Sequence, residues 1–316
     1  MVSLACAERD ARGLNVEGVT ALRGTAEADC QGCHKIYTKG NMTKLDFPRP
    51  AASGVSSIAF PAASSELEKF GLKFSDGGPH ISRTMMLAEL GAVLASVLQG
   101  SGATDYRSAI LQRNVLGKTT DSTRRESLRR LRELYALDEA RAIFGLLRKL
   151  AALDTKSLPL LAMQVAWARD PLLRATTPPV TDASEGERVE TASLAQAVES
   201  AFPKQYSDLS QNQTARHAAS SWTQSGHLVG RAKKTRRRVK PTTLAVTMAL
   251  FLGEIAGYHG AAVFSNPWCR LLDLNPDRAK AIGLEAHRAG LLNLRAVGEV
   301  VELSFPLLAE FQGRQS

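Results

Sequence analysis

A chain of 316 residues is long enough for two domains at about 100–200 residues each, and its 44% hydrophobic residues are enough to build a core. Forty Lys and Arg against 31 Asp and Glu give a formal charge of +9, a balance that favours polyanionic partners through phosphate neutralisation and steering. The four cysteines, Cys6, Cys30, Cys33 and Cys269, are too few and too unevenly placed for a disulfide framework and point to a reducing, cytoplasmic setting.

Residues 1–66 are rich in Ala, Ser, Gly and Pro and carry no sustained period, the composition of a poorly ordered segment. No basic stretch followed by an apolar run opens the chain, so no secretory leader is expected. Met42 is a second candidate start, which would make the first 41 residues an over-extended gene start. Cys30-Gln31-Gly32-Cys33-His34 has the spacing of covalent haem attachment. That chemistry needs export, so the match is read as chance. No cofactor and no metal site is expected.

Ordered texture begins near Phe74 and defines a helical domain over 67–230. Gly77-Gly78-Pro79-His80 predicts a turn, with His80 as a turn residue and Ser82 as a cap. Met85, Met86, Leu90, Val93, Leu94 and Leu98 follow at helical spacing, and Gly100-Ser101-Gly102 ends the run. Residues 108–137 predict a helix, a turn at 117–121 and a second, arginine-dense helix. In that second helix Thr123 and Glu126 have the capping-box spacing, and Leu128, Leu131, Leu134 and Tyr135 form a packing stripe. Arg125, Arg129 and Arg132 make another stripe, with Arg124 and Arg130 alongside. Such a stripe is either a solvated face or a surface for phosphate. Further helices are expected over 139–153, 158–173, 193–200 and 211–221, with an exposed acidic connection at 174–192. Successive helices with short connections read as a bundle.

The run 231–240, RAKKTRRRVK, has seven basic residues in ten and no acid: Arg231, Lys233, Lys234, Arg236, Arg237, Arg238 and Lys240. It is read as a basic linker that contacts nucleic acid, closed by Pro241 at a domain boundary. A second domain follows over 241–316. Residues 244–264 are apolar but contain Glu254 and His259, so a buried helix is expected rather than a membrane span. Asn275-Pro276 opens a helix, 277–289, with Ala279, Ile282 and Ala286 on one side and Gly290 as its stop. Residues 292–305 then alternate about a turn near Gly298, the pattern of a β-hairpin. Helices followed by a hairpin are the element order of a winged helix. In that reading 277–289 is the recognition helix, with Arg278, Lys280, His287 and Arg288 as polar contacts and Arg295 reaching phosphate. The expected fold class is mainly α, a helical bundle followed by a C-terminal winged-helix-like domain with one β-hairpin.

Catalytic patterns are missing from the sequence. There is no phosphate loop of the GxxxxGK[ST] type, no dinucleotide fingerprint after a strand, no GxSxG elbow and no HExxH. His217 and His227 are read as satisfied histidines at a helix end, and His259 with Glu254 as local polar contacts. A non-enzymatic chain is expected.

Three segments carry a resemblance: GPHISRTMMLAEL at 78–90, ILQRNVLGKTTDSTRRESLRRLREL at 110–134 and TARHAASSWTQSGHL at 214–228. Over about half its length the chain resembles the BrxA family, a small component of BREX-type bacteriophage-defence gene clusters. The resemblance implies a mostly helical, NusB-like, DNA-binding accessory protein. By position it places Lys118, Thr119, Thr120, Arg124, Arg125 and Arg129 at the nucleic-acid surface. To these the basic run adds Lys233, Lys234, Arg236, Arg237 and Arg238. Members of the family are typically shorter, so residues 1–66 and the C-terminal region lie outside the likeness. The expected partners are double-stranded DNA, or RNA, and other defence-system proteins, with no membrane. The alternatives are an RNA-binding NusB-like module and a protein–protein scaffold for a defence complex.

Overall fold

The computed structural model describes residues 58–297 and 300–312, all within one compact unit. The Cys30–His34 pattern and Met42 lie outside the described residues. The fold is mainly helical, with two small antiparallel hairpins among the described residues.

In chain order the first helices are α1 (Ser65–Phe70), α2 (Leu87–Ser96), α3 (Ala103–Leu111), α4 (Asp121–Tyr135), α5 (Ala142–Leu153) and α6 (Leu158–Arg169). Next come α7 (Pro171–Ala175), α8 (Thr177–Thr181), α9 (Thr191–Ala201) and α10 (Asp208–Gln224). A short hairpin, β1 (Leu228–Val229) with β2 (Thr235–Arg236), leads to α11 (Thr243–Ile255), α12 (Pro267–Leu271) and α13 (Pro276–Arg288). The second hairpin, β3 (Asn293–Val297) with β4 (Val300–Ser304), precedes α14 (Ala309–Gln312).

Two helices with no polar face form the axis of the core. Residues 160–168 of α6 and 244–253 of α11 are buried throughout, which is how a helix apolar on all sides is accommodated. They touch where the Gln164 side-chain amide donates to the Ala245 carbonyl at 3.1 Å. The apolar stretch at 244–253 is therefore core. Among the described residues no helix is long and apolar enough to cross a membrane. Gly253 is there for close approach: a Cβ on it would sit 2.3 Å from the Asn266 amide nitrogen. That buried amide ties α11 to the next turn through the Ala249 and Val263 carbonyls, while its oxygen accepts from the backbone of Trp268 and Cys269.

Several local expectations shift. Ser82 does not cap a helix; it ends a 3-10 turn at Pro79–Ile81, and α2 starts after Met86, which has a left-handed φ of 51°. The α4 cap is Thr120, whose hydroxyl accepts from the Thr123 amide at 3.2 Å, so Glu126 belongs to the helix and pairs with arginines. The helix expected over 158–173 breaks at Asp170-Pro171, because Pro171 has no amide to donate and Asp170 caps α7. The long helix expected over 243–264 ends at Ile255, and a 3-10 turn covers Gly260–Ser265. Within 174–192 only the middle is an open connection. The Thr176 and Thr177 hydroxyls are buried and accept from the Trp222 and Trp167 indoles at 2.9 Å each. Residues 58–66 are not loose either, since the Phe60 ring packs 5.1 Å from Trp167 and 6.0 Å from Trp268.

The largest departure is at 231–241. One hydrophobic cluster runs from Leu67 through Phe311, so Pro241 does not separate two cores. Trp167 of α6 meets Trp268 of α12 edge-on at 5.8 Å, and Phe311 fills the space over Gly145. The basic run is part of this body: its middle forms β2, and Arg236 is 1% exposed.

Candidate nucleic-acid interface

The arginine-dense helix presents two faces as its spacing requires. Leu128, Leu131, Leu134 and Tyr135 are buried, while Arg125, Arg129 and Arg132 are exposed. Much of the charge is internally balanced. Arg125 holds Asp121 at 2.6 Å, Arg129 grips Glu126 through two bonds of 2.9 Å, and Arg130 spans Glu126 and Glu133. The hydrogen bonds from Arg129 and then Arg130 hold the Glu126 carboxyl down at about 2.

Beside this face lies an open groove of ≈ 1460 Å³. Asp121, Arg125, Leu128, Arg129, Arg132 and Ala136 line it along the whole of α4. Thr104, Arg107 and Ser108 of α3 form a facing wall, and Lys73, Arg141 and Arg169 close the end near the α4 C-terminus. Carboxylates are present too. Asp121 is held by Arg125 and Glu133 by Arg129 and Arg130, Asp105 accepts from the Gly102 amide and Asp138 from the Ala140 amide, and Glu68 completes the set. Among the described residues Lys73, Arg107, Arg132 and Arg141 form no ion pair within the 4 Å distance of a salt bridge. Arg169 is fastened to backbone carbonyls of Gly71, Arg132 and Glu133. Burial, and then the nearby Arg141 charge, pull its guanidinium down to about 10.

The residues the resemblance singles out divide between this groove and other tasks. Arg125 and Arg129 line the groove. Thr119 and Thr120 are exposed at the start of α4, Thr120 as its cap. Lys118 is paired with Glu89 at 3.1 Å, and Arg124 turns inward to the Leu111 carbonyl at 3.0 Å. In the basic run Lys233 and Arg237 are exposed, and Lys234 donates to the Gly230 carbonyl at 2.8 Å. Arg236 is the exception. It is buried against Asp273 and cannot meet a phosphate. The half-exposed Arg238 shares the same carboxylate at 3.3 Å. Arg278, Arg288 and Arg295 are exposed, Lys280 is half-buried, and Arg295 stands opposite Glu302 in the second hairpin.

Histidines hold the interior together. His80 does sit in a turn, and it is fully buried there, its Nδ1 2.7 Å from Asp170 Oδ2 and its Nε2 2.7 Å from Ser221 Oγ. These are the distances of a nucleophile–base–acid set. However, the Ser221 oxygen also accepts from the Met85 amide and donates to the His217 carbonyl, and none of the three side chains reaches solvent. The relay joins three chain segments and acts as a strut. His259 and Glu254 pair locally at 2.7 Å. His217 bonds the His80 carbonyl at 2.9 Å. Among the described residues no cluster of three His, Cys, Asp or Glu could hold a metal.

His227 lies between the Ser225 hydroxyl and the Leu271 carbonyl, 2.8 Å from each. Burial pushes its imidazole down to about 4, against an ordinary 6.5. The unfolded chain therefore binds the extra proton first. The stability of the neutral form is complete above about 6.5 and is lost as pH falls toward 4. Between pH 7 and pH 5 this group should remove about 2 kcal/mol from the unfolding free energy. Urea unfolding at both pH values, compared with His227→Gln, checks it: the variant should lose that share of the acid slope. An equal slope in both proteins would assign the effect elsewhere.

No family model and no curated protein matches the sequence.

Proposed function

We propose that this chain is a non-enzymatic nucleic-acid-binding protein, with DNA as the partner that its resemblance to the BrxA family implies. The observation that carries the reading is the α4 groove, where four cations stand without carboxylate partners in a chain of net charge +9. Arginine forks suit phosphate oxygens, and releasing counterions drives such binding. An accessory role in a BREX-type antiphage system follows from the resemblance alone.

The C-terminal helices support a second contact in the same reading. α13 packs on α11 through Ala279, Ile282 and Ala286, leaving Arg278 and Arg288 on its outer side, and the β3–β4 hairpin follows directly. As a winged-helix-like unit, this region would meet duplex DNA through α13, with Arg295 beside it.

A gel-shift titration of the full chain on duplex and on single-stranded DNA at several salt concentrations tests the reading. Affinity should fall steeply with salt, by about 0.9 log units per log unit for each phosphate neutralised. Arg278→Glu with Arg288→Glu should weaken duplex binding about ten-fold or more. Binding that ignores salt, or no binding at low salt, would remove the proposal. Arg236 is unsuitable for this purpose, because reversing a buried charge tests folding instead.

A further inference from the structure

Lys73, Arg107, Arg132 and Arg141 share one concave space, none of them in an ion pair among the described residues, and Arg169 adds a fifth charge beside Lys73 and Arg141. Seven cations against five carboxylates leave the lining net positive, and a row of phosphates offsets that excess. Shape then narrows the class of ligand. α4 lines the groove from Asp121 to Ala136, a run of about 22 Å at 1.5 Å per residue. Spreading ≈ 1460 Å³ over that run gives a groove on the order of 10 Å across. A B-form duplex, whose major and minor grooves of about 12 and 6 Å lie side by side on its surface, is too broad as a whole to seat in it. A single strand with its bases turned outward is not, and the run suits about four nucleotides, the number a KH groove clamps. No aromatic ring lines the space among the described residues, so there is no stacking platform and the contacts fall on the backbone.

We propose that the α4 groove holds a single-stranded polynucleotide by its phosphates, between Arg107 of α3 and Arg132 of α4, with Arg141 at its end. This rests on the nucleic-acid reading above and adds the strand class. It also separates the work: duplex is met at α13, and an unpaired strand lies along α4. Binding in the groove is tolerant of base sequence, because no base edge or ring is gripped.

Fluorescence anisotropy on the full chain tests it, using a labelled oligothymidylate of about a dozen nucleotides and a labelled hairpin duplex. Each is titrated against the unmodified protein and against Arg132→Glu with Arg141→Glu. Both side chains are exposed, so the variant should keep its circular dichroism spectrum and Tm. The expected result is a loss of about ten-fold or more on the single strand with duplex affinity unchanged. The single-strand salt slope should be near −3, from about four phosphates at about 0.7 each. Equal losses on both ligands, or no loss on the single strand, overturn the single-strand assignment and leave the nucleic-acid reading standing. Polyglutamate competing as well as the oligonucleotide at matched charge also overturns it. An unmodified protein that binds neither ligand overturns both proposals. If the double variant unfolds, Arg107→Glu on the facing wall is read in the same way.

Discussion

Asp273→Ala is expected to lower the unfolding free energy by about 3–5 kcal/mol, because it strands a buried guanidinium. Arg236 is 1% exposed, and among the described residues the Asp273 carboxylate is its only counter-charge. The same carboxylate accepts from the Val239 amide at 2.9 Å, so the substitution also leaves a backbone donor unmet. The other Arg236 partners are carbonyls, those of His227 and Arg237, which orient the guanidinium without neutralising it. Denaturant unfolding of the single variant measures the loss. Arg236→Met combined with Asp273→Leu should recover much of it, since a well-packed apolar pair can replace a buried ion pair at little cost. A single variant as stable as the parent would mean that Arg236 escapes to solvent, and the basic run would regain its standing as an exposed arm.

Asp170→Ala should be comparably costly, about 3–5 kcal/mol, with the loss spread over hydrogen bonds as well as charge. One oxygen accepts from the His80 amide at 2.9 Å and sits 2.7 Å from the His80 ring; the other accepts from Leu172 and Leu173 at the start of α7. Removing it leaves these donors buried and unpaired and uncaps a helix. The neighbourhood has no slack, as a Cβ on Gly78 would lie 2.0 Å from Asp170 Oδ1. Ser221→Ala removes only the far end of the relay and should cost less. If Ser221→Ala were the more damaging of the two, the strut would be organised from α10 rather than from α7. Thermal unfolding of both variants decides the order.

The α4 helix shows how far local pattern reaches. Its apolar stripe and arginine face follow from the 3.6-residue period and needed no knowledge of neighbours. Spacing points to Thr123 as its cap, whereas the cap is Thr120, three residues earlier. Thr120 and Thr123 both precede the run, and the choice rests on an extended backbone at Thr120 (φ −110°, ψ 151°) that pattern does not encode. The Asn275 cap, the burial of α11 and the pairing of β3 with β4 are readable for the same local reason.

What local pattern misjudged lies where distant residues set the environment. Density of charge made Arg236 look solvent-facing, but Asp273, 37 residues on, draws it inside. The Gly-Gly-Pro context places His80 in a turn, as found, but its burial comes from partners 90 and 141 residues away. The groove has the same origin, since only packing α3, α4 and the Asp138–Arg141 turn together gathers Arg107, Arg132 and Arg141.

The sequence by itself determined the helical class, the amphipathic faces, the net charge and the terminal hairpin, because period, composition and turn residues act within a few positions. The tertiary structure alone decided which cations keep a counter-charge, which face an open groove and which histidines are sealed inside. Burial and ion pairing are properties of neighbours in space, and in this chain those neighbours stand up to 141 residues apart.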